Sequence, residues 1–165
     1  MAILLFNDAP IRTALPGDED AVLDLLAGAS SWLRGRGIEQ WPERFPLESV
    51  REQIAAGEAL LVGKPAVATV VVTANEPPDL WGDNPVPAYY ISQLAVAREA
   101  GGRGLGYRIL DWVQAAASAK GWRYVRLATA QDNPGLRRYY EKAGFLHVGD
   151  PEDTPWPTSL YERYR

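Results

Sequence analysis

The chain contains no cysteine. Disulfides, thiolate metal sites and a covalent acyl-cysteine intermediate are therefore excluded at the outset. One histidine, His147, rules out a metal centre built from several imidazoles. No apolar run approaches the ~20 residues that span a bilayer. No block of a single charge sign occurs, and a net charge of −4 argues against a general nucleic-acid surface. The apolar stretch in MAILLFNDAPIR has no basic leader before it and no small-residue cleavage pattern after it, so it does not read as a signal peptide. The expectation is a cytoplasmic protein with no metal, no membrane partner and no nucleic-acid partner.

What remains is an ordinary globular composition, 47% hydrophobic and 23% charged over 165 residues. That length suits one domain over residues 1–165 which removes ~70% of its unfolded surface from water. Arginine outnumbers lysine fourteen to three, which fits a GC-rich genome as well as a demand for guanidinium chemistry.

Hydrophobic periodicity and turn residues divide the chain into short alternating elements. A strand over 11–15 leads through PGDED into a helix whose one face carries Val22, Leu25, Leu26, Ala29, Trp32 and Leu33, ended by Gly35 and Gly37. A loop GIEQWPERFP and a helix over 47–56 follow, then strands over 59–62 and 66–73. NEPPDLWGDNPVP reads as a surface loop. Beyond it come a strand over 88–96, a helix over 105–120 with Ile109, Leu110, Val113 and Ala117 inward, and a strand over 124–130. Asn133 and Pro134 open a last helix as N-cap and first position, Gly144 closes it, and strands over 145–148 and 159–164 complete the chain. The order predicts a mixed α/β (α+β) sheet with helices, not a regular doubly wound one.

The segment AREAGGRGLGYRIL, residues 97–110, places four glycines where a helix begins. Tyr107 stands where a dinucleotide fingerprint needs its third glycine, and again where a P-loop needs lysine, so both of those motifs fail. Strand, loop and GxG opening a helix can still make an anion site. Bare amides converge without Cβ interference, the helix start adds partial positive charge, and Arg98, Arg103 and Arg108 raise the local potential. A plain turn is the other reading.

LAVAREAGGRGLG resembles the pyrophosphate-binding segment of the GNAT superfamily of N-acetyltransferases, in which a strand ending in a small apolar run leads to (Q/R)xxGx(G/A) at the start of the third helix. The family's Arg or Gln falls here on Gly101. NPGLRRYYEKAGF, residues 133–145, resembles the family's second anchor, an asparagine followed by a helix carrying YxxxGF. Asn133, Tyr140, Gly144 and Phe145 occupy those places. Asn133 also reads as a simple N-cap, Tyr140 as a core aromatic and Gly144 as a C-cap. Two anchors in order, about thirty residues apart with a strand between, carry the resemblance over nearly the whole chain.

The resemblance implies a central mixed, mostly antiparallel sheet of about six or seven strands, splayed between the fourth and fifth, with about four helices. It implies acetyl-CoA (coenzyme A) as cosubstrate. Leu94, Ala95 and Val96 would bind the pantetheine arm, with the Leu94 N–H polarising the carbonyl. Gly101, Gly102, Arg103, Gly104, Leu105 and Gly106 would take the pyrophosphate, and Asn133 would contact the arm. Tyr140 is the candidate general acid, since a phenol is protonated at neutral pH and near enough to a thiol to donate to a forming thiolate. The base stays open. Many members carry a glutamate on the fourth strand, where this chain has YYISQLAV; Gln93 could position a relay water, Glu39, Glu43 or Asp132 could serve, or a weakly basic amine could need none. Trp41, Trp81 and Trp156 would line the acceptor pocket, with Asp79, Asp83, Glu152 and Asp153 favouring a cation; each tryptophan also reads as a lid over a core edge. His147 reads as structural. The acceptor would be a small-molecule or peptide amine. A homodimer is possible, with SLYERYR as its interface, and a non-catalytic acyl-CoA-binding domain on the same fold is the alternative.

Overall fold

The computed structural model describes residues 3–5, 9–38, 41–75, 80–81, 86–102 and 104–165. They form helices α1 (Glu19–Gly35), α2 (Leu47–Ala55), α3 (Leu105–Ala119) and α4 (Pro134–Lys142). One chain rule ends all four. Two residues past each helix stands a glycine with positive φ: Gly37 at 79°, Gly57 at 72°, Gly121 at 79° and Gly144 at 94°. The next amide reaches back to the third-last helical carbonyl: Ile38 to Leu33, Glu58 to Gln53, Trp122 to Ala117 and Phe145 to Tyr140, at 2.9–3.0 Å. This is the Schellman ending, in which a left-handed glycine turns the chain so that the orphan carbonyls are satisfied.

The strands are β1 (Ile3–Leu5), β2 (Ala9–Thr13), β3 (Ala59–Val62), β4 (Ala68–Thr73), β5 (Ala88–Val96), β6 (Tyr124–Ala130), β7 (Leu146–Gly149) and β8 (Thr158–Tyr164). The expected first strand thus begins and ends two residues earlier. Asp18 explains its end: its carboxylate accepts the Leu15 amide at 2.8 Å and Arg12 at 2.8 and 3.2 Å, folding the chain into the turn before α1. Leu15 is left 61% exposed. β1 is an additional strand, three residues long, paired antiparallel with β2.

The chain forms two compact units, Met1–Val72 with Gln93–Ile109, and Thr73–Ser92 with Leu110–Arg165. In the first unit the strand order is β1-β2-β3-β4 followed by the end of β5. The ladders from β1 to β4 are antiparallel. Every residue of β3 is buried, so both of its faces are covered, as its unbroken apolar run ALLV requires. Val22, Leu23 and Leu26 of α1 and Val50 and Ile54 of α2 close over Ala59, Leu61 and Ala95.

In the second unit the order is β5-β6-β8-β7. β5 and β6, the expected fourth and fifth strands, run parallel over Ala88–Ile91 against Tyr124–Leu127, which fits the expected splay of this pair. β6 and β8 pair antiparallel along their whole length. Arg163 of β8 is buried and donates to Gln114 Oε1 (2.9 Å), Ala143 O (2.8 Å) and Leu110 O (3.1 Å), tying α3 and the end of α4 to the sheet. The final strand, proposed from sequence as an interface, is hydrogen-bonded on both sides; the edge is β7, with Leu146 and Val148 exposed.

Candidate active site

β5 crosses from one unit to the other at Ser92–Gln93. Gln93 has φ of 53°, a left-handed conformation that costs a non-glycine residue about 1–3 kcal/mol. Its side-chain Oε1 is also buried without a hydrogen-bond partner. Backbone strain and an unpartnered buried polar atom thus fall on the same residue. Beyond it Ala95 packs into the core, so alternation turns Leu94 and Val96, both half-buried, to the opposite face.

The chain then makes a 3₁₀ turn over Arg98–Ala100. Gly101 donates its amide to Arg98 O at 3.1 Å, so this N–H is already used inside the turn. A Cβ at Gly101 would stand 3.2 Å from the same oxygen, tight enough to disfavour the side chain that the GNAT pattern carries there. Gly102 and Gly104 both have φ of 75°, with open space around a built Cβ. Their glycines are required by backbone conformation rather than by crowding. Gly104 O accepts from Arg108 N at 3.1 Å, which makes Gly104 the cap and leaves the amides of Leu105 and Gly106 in the first turn without intrahelical acceptors. Bared amides at a helix start are a geometry that can receive an anion. Arg103 and Glu39 lie outside the described residues.

In the second unit Asn133 is buried and caps α4, its Oδ1 accepting from Leu136 N at 3.1 Å; Pro134 follows at the first helical position. Tyr140 is 8% exposed, with ring centroids 5.3 Å from Tyr139 and 5.8 Å from Phe145. The YxxxGF pattern has a plain geometric content. Tyr140 is the third-last helical residue, Gly144 the left-handed turn, and Phe145 the residue that folds back on the tyrosine, completing the apolar contact that accompanies a Schellman ending. Burial, followed by the neighbouring Tyr139, pushes the Tyr140 phenol well above its ordinary pKa. It stays protonated throughout the neutral range.

The three acceptor tryptophans have different surroundings. Trp41 packs against the core of the first unit and meets Phe45 edge-on at 5.5 Å; Arg34 Nη2 and Ser30 Oγ hold the loop backbone at Trp41 O (2.9 Å) and Pro42 O (2.6 Å). Trp81 carries the Arg126 guanidinium 4.4 Å from its ring and Tyr90 at 5.9 Å, so a cation already occupies this indole. Trp156 is 56% exposed. Glu152 and Asp153 are exposed, Asp79 and Asp83 lie outside the described residues, and Glu43 and Asp132 are exposed. His147 stacks by Tyr161 and pairs with Asp150 Oδ1 at 2.6 Å. Among the described residues no group of carboxylate or imidazole side chains could hold a metal ion, and no helix is long and apolar enough to cross a membrane.

Sequence reasoning passed over two features. Gln93 was singled out for its place on the strand, yet nothing local signals its left-handed backbone. Trp32 was placed on the buried face of α1, but it is 37% exposed and lies beside Arg36 and Arg98.

Comparison with known proteins bears on the same elements. Residues 26–145 match the acetyltransferase (GNAT) family, a span that includes both the glycine loop and YxxxGF. An uncharacterized N-acetyltransferase of Bacillus subtilis (strain 168), YesJ, is 28% identical over 141 residues, covering 80% of this chain and 78% of its own. The S-(2-succino)cysteine N-acetyltransferase of the same organism is 25% identical over 145 residues, covering 86% of each. A GNAT-family acetyltransferase of Listeria monocytogenes has the same fold, with a TM-score of 0.82 at 21% identity over the whole of both chains. With its parallel β5–β6 pair, glycine-opened α3 and tyrosine-bearing α4 all inside the matched span, the chain belongs to the acetyltransferase (GNAT) family.

Proposed function

We propose that this protein is a single-domain, acetyl-CoA-dependent N-acetyltransferase that moves the acetyl group directly to a primary amine. The observation that carries the proposal is the cradle at the start of α3, where two left-handed glycines bare the first-turn amides. It would hold the coenzyme pyrophosphate through Gly102, Gly104, Leu105 and Gly106, and the arm would lie along Leu94 to Val96; a contact of the arm with Asn133 is what the family resemblance implies. The cosubstrate supplies an acetyl group activated as a thioester. The Leu94 N–H stabilises charge on the carbonyl oxygen as the amine nitrogen attacks. A water held by the unpartnered Gln93 Oε1 takes the ammonium proton as the C–N bond forms. Tyr140 O–H donates to the sulfur as the C–S bond breaks, leaving an amide and free thiol, and the proton released from nitrogen to water returns through solvent to the Tyr140 phenolate. With no cysteine in the chain, the acetyl group has no thiol to rest on.

The likeness to an enzyme acting on S-(2-succino)cysteine supports a small-molecule acceptor, an amino-acid derivative among the candidates. The second reading, a non-catalytic acyl-CoA-binding domain, is favoured by the lack of a carboxylate in YYISQLAV and by Gly101 where the family carries Arg or Gln. Thiol release from acetyl-CoA across a panel of amino-acid derivatives, polyamines and peptides decides between them; the protein contributes no thiol background. Tyr140→Phe is expected to lower kcat by about 10²–10⁴ while coenzyme affinity stays unchanged. Coenzyme binding without turnover on any amine would establish the second reading.

A further inference from the structure

Trp32, near the end of α1, has the Arg36 guanidinium carbon 4.3 Å and the Arg98 guanidinium carbon 4.6 Å from its ring centroid. All three belong to the first unit. Neither arginine has a carboxylate within ion-pair distance among the described residues, and Glu99, next in the chain, is exposed and pairs with no cation there. Two cations are thus gathered on one half-exposed indole with no counter-charge. Exposed cation–π contacts of this kind are individually weak, so the ring positions the two guanidiniums without neutralising them. Both guanidiniums are exposed and have no carboxylate partner among the described residues, so they are available to an anion.

Its position identifies the anion. Arg98 opens the 3₁₀ turn whose carbonyl takes the Gly101 amide, so its backbone abuts the cradle directly. Coenzyme A bears, besides its pyrophosphate, one further phosphate: a monoester on the ribose 3′ carbon. A phosphate monoester carries close to two negative charges at neutral pH and is matched by paired guanidiniums. We propose that Arg36 and Arg98, oriented by Trp32, bind the 3′-phosphate of coenzyme A. The inference rests on the coenzyme use proposed above. It adds a second anion subsite, built from α1 and the turn before α3, that selects coenzyme A over forms lacking this phosphate.

Calorimetric titration with coenzyme A and with 3′-dephospho-coenzyme A tests it. The native protein is expected to prefer coenzyme A by at least about tenfold. Arg36→Gln should reduce that preference several-fold with dephospho-coenzyme affinity unchanged, as evidence of an intact fold and cradle, and the Arg36→Gln/Arg98→Gln double variant should bring the ratio of the two affinities to about one. Equal native affinities for the two ligands, or equal loss of both in the variants, would overturn the subsite. Weakened binding of inorganic phosphate with the coenzyme preference intact would also overturn it, by showing a free-anion site. A native protein that binds neither coenzyme form refutes the coenzyme reading itself, which is a distinct result.

Discussion

Gly104→Ala separates the two duties that a glycine at the start of α3 can have. The residue sits at φ of 75°, and a built Cβ meets nothing within 4 Å. The substitution therefore carries no steric term in the free protein, only the left-handed cost of about 1–2 kcal/mol. For a domain of this size that lowers Tm by about 2–8 °C. Gly121, past the end of α3, is the internal control: φ is 79° and the space around it is equally open, so Gly121→Ala should cost the same. The two differ in what faces them. If the first-turn amides of α3 hold pyrophosphate, a methyl at Gly104 stands where the anion must approach. Thermal unfolding is then measured with and without acetyl-CoA at a hundred times the native dissociation constant, where binding contributes ~2.7 kcal/mol. Gly121→Ala should keep the full ligand-induced rise, and Gly104→Ala should lose at least half of it, corresponding to an affinity loss of about tenfold or more. Equal ligand responses in the two variants would reduce Gly104 to a turn residue and remove the main support for the cradle. Undiminished stability in both would refute the conformational argument itself.

Other substitutions test the scaffold. Gly28 lies exposed inside α1 with ordinary φ and open space around a Cβ, so Gly28→Ala should stabilise the protein by about 0.5–1 kcal/mol in urea melts; a loss would show an unseen role for the bare backbone. Arg163→Met strips donors from Gln114 Oε1, Ala143 O and Leu110 O in a buried setting and should cost about 3–5 kcal/mol, with a loss below about 1 kcal/mol refuting its role as a tie. The Arg12 hydrogen bond, then the Leu15 amide, hold the Asp18 carboxyl below its ordinary pKa, so its contribution is present above about pH 4 and is lost as pH falls through the folded-state value. Asp18→Asn should therefore destabilise by about 1 kcal/mol near neutrality and by progressively less in acid, and a pH-independent difference would contradict this.

The sequence made legible those elements whose limits are set locally. β3, β5 and β6 begin and end where the apolar pattern and the adjoining glycines predict, and Asn133–Pro134 starts α4 as its chemistry requires. Long-range determinants were less accessible. β1 is three residues long and exists through its pairing with β2. Leu15 was read into a strand that the Asp18 carboxylate cuts short. Trp32 shows the limit of periodicity: spacing gives the direction of a side chain on its helix, but not whether core or a pair of arginines lies there. The glycine cluster is legible as a bared loop, whereas the loss of the Gly101 amide to Arg98 O arises only in the folded turn.

The common helix ending also redistributes weight within the second anchor. Since α1, α2, α3 and α4 all finish in a left-handed glycine followed by a folded-back amide, the GF of YxxxGF belongs to a structural habit of this chain. It cannot by itself mark a site. What distinguishes α4 is the residue that receives the returning amide: Leu33, Gln53 and Ala117 in the other helices, Tyr140 here. α4 alone of the four sets a hydroxyl-bearing aromatic at that position, buries it, and fixes it from the side with Phe145. A side chain held by both a helix ending and a ring contact has little rotational freedom left to lose, which is what a proton donor aimed at one atom requires. On the proposed mechanism the functional content of the motif would therefore reside in the tyrosine, with the glycine and phenylalanine holding it still.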